Sequence, residues 1–515
     1  MPVNIKISPP LGAACGMAVA YYCLYPLYRS EIITIDGLLA LAFIPVGVLC
    51  FFRVLASWPL LGDVKPRTAQ YLRITPLILT AFTAGLSLGI GAGAQAAQKI
   101  SFGIPEINVR GISGVVLDDP RLISGGRAMT TLSLRMVTGP GNVRVGARGV
   151  ITVFFPEVNA GRLREFGRGT EVLAEGILRG SGDSGGANNG GAGAYLFSAE
   201  SLHITKQASS LDHFRTGLRA GLTRRFTQPP AGDPSWGGLA LALLLGIRDN
   251  LDAGIAALYR DAGCSHILAL SGMHLAVLVA LISFLLRKPL GLRLSAVCGA
   301  LIIFAYCYIV GPLPSLNRAA LMYMVGVLAV LGMLKRDALL LLCMAFLIQL
   351  LITPGAGLSL SFILSYLALA GILVIGEALN SIFKGKVPAA LLLSLSASLG
   401  AFVATAGVTV WFFGILRPVG IIASLILTPL TTIFMIGSMV WLVLNLALPA
   451  LSPLLSYPLL LLYRLMEKSA FFAAKMPGIK GQPWLVISLS LLSMAVILWF
   501  EYRHRLTANR LEPFA

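Results

Sequence analysis

Apolar runs long enough to cross a membrane recur along the chain in two groups. A hydrocarbon core of about 30 Å is crossed by a helix of roughly 20 apolar residues. The first group has three runs, near 11–28, 37–56 and 74–95. The second group follows almost without interruption, near 264–286, 292–311, 315–334, 337–353, 357–378, 387–413, 418–447, 451–466 and 484–502. The pattern predicts a polytopic α-helical membrane protein.

Between the two groups, residues 99–206 change to short β-rich pieces separated by Gly, Pro and Asp. Several pieces alternate apolar with polar positions, as Leu132, Leu134 and Met136 do, which is typical of half-buried strands. The five pieces read INVRGISGVVL, MTTLSLRMV, RGVITVFF, EVLAEGILR and YLFSAESLHI. Five short strands suit a small OB-like barrel, so the sequence predicts an all-β domain inserted into the membrane protein.

Residues 207–262 have a third character and are predicted to form amphipathic, interfacial and re-entrant helices. The stretch LDHFRTGLRAGLTRRF places four arginines among apolar residues and indicates a helix at a membrane interface. These are Arg215, Arg219, Arg224 and Arg225. The stretch WGGLALALLLGIRDN is too short to cross comfortably and indicates a re-entrant or buried segment. The predicted organisation is 1–98 (three spans), 99–206 (β domain), 207–262 and 263–515 (helical bundle).

Composition agrees with a membrane protein, since 57% of residues are hydrophobic and only 12% are charged. The net charge of +18 is compatible with a nucleic-acid partner, but the Lys and Arg that cytoplasmic loops accumulate are sufficient to account for it. Counting spans puts the positive clusters on one side of the membrane and the β domain on the other, outside the cytoplasm. The clusters are Lys65, Arg67 and Arg73; Arg287, Lys288 and Arg293; Lys335 and Arg336; and Lys384 and Lys386.

Polar residues inside apolar runs are costly and mark bundle interiors or aqueous paths. Ser271 and His274 are three apart and neighbours on one helical face, with Gly272 permitting close backbone approach. They either line a path, hydrogen-bond between helices, or form a catalytic dyad. His266 lies about 140° around the helix from Ser271 and about 80° from His274, so the histidines form no metal pair on one face. A zinc site would need Gln349, Glu377 or buried serines as further ligands.

Two later runs carry further polar residues. Asn317 and Arg318 begin a span, where the arginine either snorkels outward or fixes a positive charge that is available to phosphates. Ser361 and Ser365 are four apart on one face, where they either bond to the preceding helical turn or contact another helix.

The stretch YRDAGCSHILALSGMHLAVL resembles the signature of the ComEC competence family, which runs roughly Ala-Gly-x-x-His-x-Leu-x-x-Ser-Gly-x-His. Two later stretches, GPLPSLNRAALM and GAGLSLSFILSYLALAGIL, are similar to that family's Ser-x-x-Arg-Ala-x-x-Met and Gly-x-x-Leu-Ser-Phe segments, in the same order. The preceding LLLGIRDNLD is similar to its Leu-x-x-Gly-x-Arg stretch, with Ile247 where an acidic residue is common. An external OB-like domain also matches the family.

The resemblance implies a channel that carries single-stranded DNA across the bacterial cytoplasmic membrane during natural transformation. It implies as partners the lipid bilayer, a DNA receptor, cytoplasmic helicase or strand-binding proteins and a separate nuclease, and it is compatible with a homo-oligomer. Many family members carry a C-terminal metallo-β-lactamase-like domain, and the sequence shows no His-x-His-x-Asp-His cluster, so we expect no enzyme activity. No catalytic residue, metal site or cofactor is predicted. Alternatives are a transporter of another anionic or lipid-like substrate and a membrane-embedded metal-dependent hydrolase.

In the β domain, DNA binding would use the basic groove and stacking aromatics that OB-type barrels offer to single strands. The candidates are Arg135, Arg144, Arg148, Phe154 and Tyr195. The alternative is that the aromatic residues belong to the barrel core, and acidic residues nearly balance the basic ones in this domain.

Overall fold

A computed structural model describes the fold. The described residues are 14, 17, 18, 21, 102–122, 127–155, 164–179, 195–228, 235–270, 272–311, 313–333 and 337–511. The predicted spans near 37–56 and 74–95, and most of the span near 11–28, lie outside them. The chain divides into two compact units, one comprising Ala94–Pro229 with Ile247–Asn250 and the other comprising the rest.

The first unit is built on a closed five-stranded barrel. Its strands are β1 (Gly111–Val116), β2 (Ala128–Thr138), β3 (Val150–Phe155), β4 (Glu171–Arg179) and β5 (Leu196–Lys206). β1 pairs with both β2 and β4, β2 with β3, and β4 with β5, all antiparallel. The parallel pairing of β3 with β5 closes the ring. Two short strands, Arg121–Leu122 and Arg144–Gly146, pair with β2. All five predicted strands and the OB-like barrel are confirmed.

Alternation of apolar and polar residues fills the barrel. Ile112, Leu132, Val153 and Phe197 are each 0% exposed and point into one core, while their strand neighbours face outward. The register of β1 against β2 shifts between Ser113 and Gly114. A side chain at Gly114 would overlap the backbone of Ser133, so this bulge needs glycine, and bulges of this kind bend strands around a barrel.

Helix α1 (Ser210–Thr227) packs on the barrel. Its N-cap, Ser209, accepts a hydrogen bond from the backbone N–H of Asp212. Arg215 is only 3% exposed and donates through Nη1 and Nη2 to the two carboxylate oxygens of Asp119, at 3.2 and 2.9 Å. The Nε of Arg219 lies 3.4 Å from the same carboxylate. These two arginines therefore bind the barrel instead of lipid headgroups, whereas Arg224 and Arg225 are exposed.

The second unit is helical. Its described helices are α2 (Ser235–Leu245), α3 (Ala253–Asp261), α4 (Ser265–Leu268), α5 (Gly272–Val310), α6 (Pro314–Leu331), α7 (Ala338–Ile352), α8 (Leu360–Gly371), α9 (Glu377–Phe383), α10 (Ala389–Phe413), α11 (Val419–Ala447), α12 (Ser452–Ala474) and α13 (Pro483–Leu511). A π-helical turn, Ile372–Gly376, joins α8 to α9. The short α2 is almost wholly buried.

Five of these helices are long and apolar enough to cross a membrane. They are Gly272–Val310, Leu360–Phe383, Ala389–Phe413, Val419–Ala447 and Pro483–Glu501. α6 and α7 are shorter apolar helices. The predicted fold class, a polytopic helical membrane protein with a small β-barrel domain, is confirmed.

α5 contains a sharp break at Gly291, whose φ of 72° and ψ of 176° are not helical. A straight helix of its 39 residues would be about 58 Å long. Leu270 and Val310 nevertheless lie together, since both are within 4.0 Å of the position of a Cβ on Gly246. The chain therefore folds back at Gly291 and forms a hairpin, as the separate apolar runs near 264–286 and 292–311 predicted.

The start of that first run was predicted wrongly. α4 ends at Leu268, and Ala269 is extended at φ −73° and ψ 128°, so α4 is not continuous with α5. The angles of about 140° and 80° from His266 to Ser271 and His274 apply only to one unbroken helix, so they do not hold here. A four-residue helix cannot be told from the first turn of a long apolar helix by hydropathy alone.

Four positions of the first apolar run, residues 14, 17, 18 and 21, are described, all helical and spaced to lie on one face. Ala14, Met17 and Tyr21 are buried in a cluster with residues of α7 and α8. A Cβ on Gly357 would come within 2.8 Å of the Tyr21 hydroxyl, so the chain between α7 and α8 passes close to this tyrosine. These described positions of the first apolar run thus pack on helices that follow by more than three hundred residues.

Candidate functional site

The best-defined polar site in the helical unit is built around Arg318 of α6. Its side chain is only 7% exposed. Its Nη1 donates a hydrogen bond to the hydroxyl of Ser365, and its Cζ lies 5.6 Å from the ring centroid of Tyr366. Ser365 and Tyr366 are successive residues of α8, so one helix supplies both a hydrogen-bond acceptor and an aromatic face for the cation. The guanidinium is held inside the bundle and does not reach outward.

Tyr366 is itself anchored by α7. Its hydroxyl donates a 2.8 Å hydrogen bond to Oε1 of Gln349, and both side chains are buried. Phe346 and Phe362 pack against the tyrosine ring, at centroid distances of 5.2 and 4.6 Å. The aromatic face beneath Arg318 is therefore fixed in position by a hydrogen bond at one end and by ring packing around it.

The first residue of α5 completes the site. A Cβ on Gly272 would lie 3.3 Å from Nη2 of Arg318 and 3.3 Å from Cβ of Ala319. Such contacts are tight, so the absence of a side chain allows the guanidinium to approach the N-terminus of α5. We call the group Gly272, Arg318, Gln349, Ser365 and Tyr366 the arginine site.

The charge of the arginine site is not balanced within the part of the chain that the structure describes. The ion pairs found there join Arg135 to Glu171, Arg215 and Arg219 to Asp119, and Arg417 to Asp261. None of them involves Arg318, and its buried Nε has no hydrogen-bond partner. A buried cation without a carboxylate partner costs several kcal/mol, which makes Arg318 a candidate functional residue.

The other predicted membrane-site residues are placed as follows. His274 is buried in the first turn of α5, 2% exposed. Asn317 is partly buried beside Arg318, whereas Ser361 is exposed, so of the serine pair only Ser365 contacts the arginine. Ser271 lies outside the described residues.

His266 belongs to a different cluster, at the contact between α4 and α11. Its Nε2 is 3.4 Å from the hydroxyl of Ser424, and that hydroxyl is 3.6 Å from Sγ of Cys264. The backbones of the two segments touch here, because a Cβ on Gly420 would be 2.9 Å from the carbonyl oxygen of Gly263.

An ion pair secures one end of this contact. Arg417 donates to the carbonyl oxygen of Asp261 at 2.6 Å and to its carboxylate at 2.9 Å. Cys264, at the centre, is 0% exposed. The cluster joins the motif segment to α11. In the described residues no group of three or more His, Cys, Asp or Glu is placed to hold a metal ion.

Sequence reasoning did not find the roles of Gln349 and Tyr366. The sequence suggests Gln349 only as a possible metal ligand and gives no signal for Tyr366. A signal for the first was present, since Gln349 is the single amide in the apolar helix ALLLLCMAFLIQLLI. A polar group in such a helix needs an internal partner.

The candidate DNA-binding residues of the barrel have different surroundings. Arg144 and Arg148 are exposed, and Phe154 is half-buried on the outer face between buried Val153 and Phe155. Arg135 forms an ion pair with Glu171.

Tyr195 is held against the rim of the barrel. Its hydroxyl donates to the carboxylate of Glu106, and its ring packs edge-on against Phe102 at 5.1 Å. The hydrogen bond to Glu106, with some burial and the nearby negative charge, raises the pKa of Tyr195 above its ordinary value of 10.0. The hydroxyl and the ring of Tyr195 therefore already make contacts within the domain, with Glu106 and Phe102.

Comparison with known proteins places the arginine site in a recognised family domain. Residues 243–505, just over half of the chain, match the family model described as "Competence protein". The chain belongs to the Competence protein family. This confirms the resemblance seen in the motifs, and the matched region contains α3 to α12 with the whole arginine site.

Two curated relatives match parts of the chain. "ComE operon protein 3" of Bacillus subtilis (strain 168) is 30% identical over 142 residues, which cover 26% of this chain and 18% of that protein. An "Uncharacterized protein" of Aquifex aeolicus (strain VF5) is 27% identical over 238 residues, covering 46% of this chain and 55% of that protein. The matches thus span less than two thirds of either relative. No solved structure matches.

Proposed function

We propose that this chain is an integral membrane channel that carries single-stranded DNA across the cytoplasmic membrane during natural transformation, without nuclease activity of its own. Membership of the Competence protein family supports a role in DNA uptake. The apolar helices support a multi-pass membrane protein. The observation that carries the proposal is the buried guanidinium of Arg318, which has no carboxylate partner among the described residues, because the strand that must pass is a polyanion.

The path runs past the arginine site in this proposal. Gly272, His274, Arg318 and Ser365 line it, together with Ser271, which precedes Gly272 in the sequence. A fixed cation in a low-dielectric bundle offers a passing phosphate an attraction that exposed lysines in water cannot. A transporter of another anion would use the same charge, so the substrate has to be tested directly. A metal-dependent hydrolase is not supported by any group of three or more His, Cys, Asp or Glu among the described residues.

Two positive turns support the proposed orientation. Arg287, Lys288 and Arg293 surround the hairpin at Gly291, and Lys384 and Lys386 lie in the turn between α9 and α10, all exposed. In this proposal α6 and α7 also cross the membrane, so four passes separate the two turns: the second half of α5, α6, α7 and α8–α9. Both turns therefore lie on one side of the membrane, which the positive-inside rule makes the cytoplasm. In this proposal the barrel is extracytoplasmic and receives or positions the strand.

The test is uptake of labelled DNA by a naturally competent recipient whose own channel gene is deleted and replaced by this one. Cytoplasmic uptake is divided by the amount of chain in the membrane. We expect Arg318→Ala to lower that ratio by about tenfold or more, because charge-assisted hydrogen bonds are worth about 1.5–3 kcal/mol. Arg293→Ala, which removes an exposed arginine, is the matched control. Unchanged uptake per molecule in Arg318→Ala would contradict a path through the arginine site.

A further inference from the structure

We infer that the free edge of the Arg318 guanidinium and the N-terminus of α5 together form a binding site for one phosphate group. The inference rests on the proposed function, in which that phosphate is a phosphodiester of the DNA strand. The groups that would bind the phosphate belong to Arg318 and to the first turn of α5, which begins at Gly272.

One edge of the guanidinium is hydrogen-bonded, and the Nε of the other edge is buried without a partner among the described residues. Arginine carries five N–H donors in a planar fork. Nη1 is taken by the hydroxyl of Ser365, and the ring of Tyr366 covers one face. The opposite edge consists of Nε, which has no partner among the described residues, and Nη2, which lies beside Gly272. The Nε and Nη2 hydrogens point the same way, which suits two oxygens of one phosphate.

The helix terminus adds donors on the same side. The first half of α5, residues 272–290, is long enough to have a full helix dipole, and the first turn of any helix leaves N–H groups without intrahelical partners. Gly272 has no side chain to separate these N–H groups from Nη2, which would be 3.3 Å from its Cβ. Helix N-termini of this kind bind phosphates, and the adjacent guanidinium adds a full positive charge.

The single positive charge of Arg318 favours a ligand with a single negative charge. The described residues place no carboxylate against Arg318, so one positive charge remains to be matched. A phosphodiester carries one negative charge and has two unesterified oxygens that can bridge the arginine edge and the helix terminus. A lipid headgroup phosphate shares this chemistry, and the experiment separates the two sources.

Binding is measured with the purified full-length chain in nanodiscs of phosphatidylcholine. The probes are a fluorescent oligothymidylate and its methylphosphonate analogue, whose backbone is uncharged, both followed by fluorescence anisotropy. We expect the charged strand to bind at least about tenfold more tightly than the analogue, and Arg318→Lys to lose about tenfold by losing the bidentate edge. Arg293→Gln, the exposed control, should bind as the wild type does.

A second variant tests the site without changing Arg318, so that misfolding of the arginine variants cannot account for the result. Gly272→Ala retains the charge but places a Cβ between the helix terminus and Nη2, so it should weaken binding of the charged strand and leave the analogue unaffected. Thermal unfolding of each variant is recorded with the binding data. Wild-type affinity for the charged strand in both Arg318→Gln and Gly272→Ala would overturn the phosphate site.

Two further outcomes separate this inference from the proposed function. If Arg318→Gln abolishes uptake in cells but leaves strand affinity unchanged, the phosphate site is wrong while the channel stands. If phosphatidylglycerol in the nanodisc displaces the strand from the wild type but not from Arg318→Gln, a lipid phosphate is the occupant. That result would overturn the assignment of the site to DNA.

Discussion

The hydroxyl of Tyr366 donates a 2.8 Å hydrogen bond to Oε1 of Gln349, and this bond joins α8 to α7 inside the helical unit. The face of the same ring contacts the guanidinium of Arg318. The hydrogen bond to Gln349 therefore fixes the orientation of the Tyr366 ring, which could otherwise rotate about its χ angles. The position of the Arg318 guanidinium and the packing of α7 against α8 therefore both depend on the Tyr366–Gln349 pair.

The pair should behave as a coupled unit when it is removed. Tyr366→Phe and Gln349→Leu should each lower the free energy of unfolding in detergent micelles by about 0.6 kcal/mol and at most about 1.7 kcal/mol. The double variant should cost little more than the larger single change, because the same bond is lost. Tyr457→Phe, at a tyrosine that is 74% exposed, is the control and should have no effect. Fully additive losses would show that the two side chains are not coupled.

A second prediction concerns the backbone contact between α4 and α11. In Gly420→Ala the new Cβ would meet the carbonyl oxygen of Gly263 at 2.9 Å, and both backbones lie within three residues of the Arg417–Asp261 ion pair. We expect a loss of about 1–3 kcal/mol in the free energy of unfolding.

Gly326→Ala in α6 is the matched control for that change. Its Cβ would meet only a side-chain atom of Leu341, at an ordinary 3.8 Å. It should be neutral or slightly stabilising, since alanine is favoured over glycine in helices. Equal stability of the two alanine variants in thermal unfolding would show that the contact at Gly420 is looser than the structure indicates.

Local patterns were sufficient for most elements of this fold. Alternation and turn residues located all five barrel strands, and run length located the apolar helices of the described residues, because both signals reside in neighbouring residues. The contacts that build the sites join residues far apart in sequence, as Arg215 and Asp119 or His266 and Ser424 do. In a membrane bundle the faces toward lipid and toward other helices are both apolar, so periodicity does not show which helices meet. Arg318 could be singled out, but the partners that hold it could not.

The tyrosine at the barrel rim gives a prediction for pH. Because the hydrogen bond to Glu106 raises the pKa of Tyr195, the phenol stays protonated in the folded domain at pH values where the unfolded chain ionises. Its contribution to stability is complete below a pH of about 10 and is lost as pH rises beyond that value. Subtracting the ultraviolet titration of Tyr195→Phe isolates this tyrosine from the others. In Glu106→Gln its ionisation should move to lower pH, and an unchanged titration would rule out Glu106 as the cause.

The last prediction tests the orientation, on which the role of the barrel depends. Val143 is 57% exposed in the barrel unit, whereas Lys386 is exposed in a positive turn of the helical unit. If positive turns face the cytoplasm, a membrane-impermeant maleimide should label Val143→Cys in intact spheroplasts and Lys386→Cys only after lysis. The unsubstituted chain is the control for its own seven cysteines. The reverse pattern would place the barrel in the cytoplasm, where it could meet a strand only after translocation. A DNA-receiving role would then be impossible for it, while the arginine site would be unaffected.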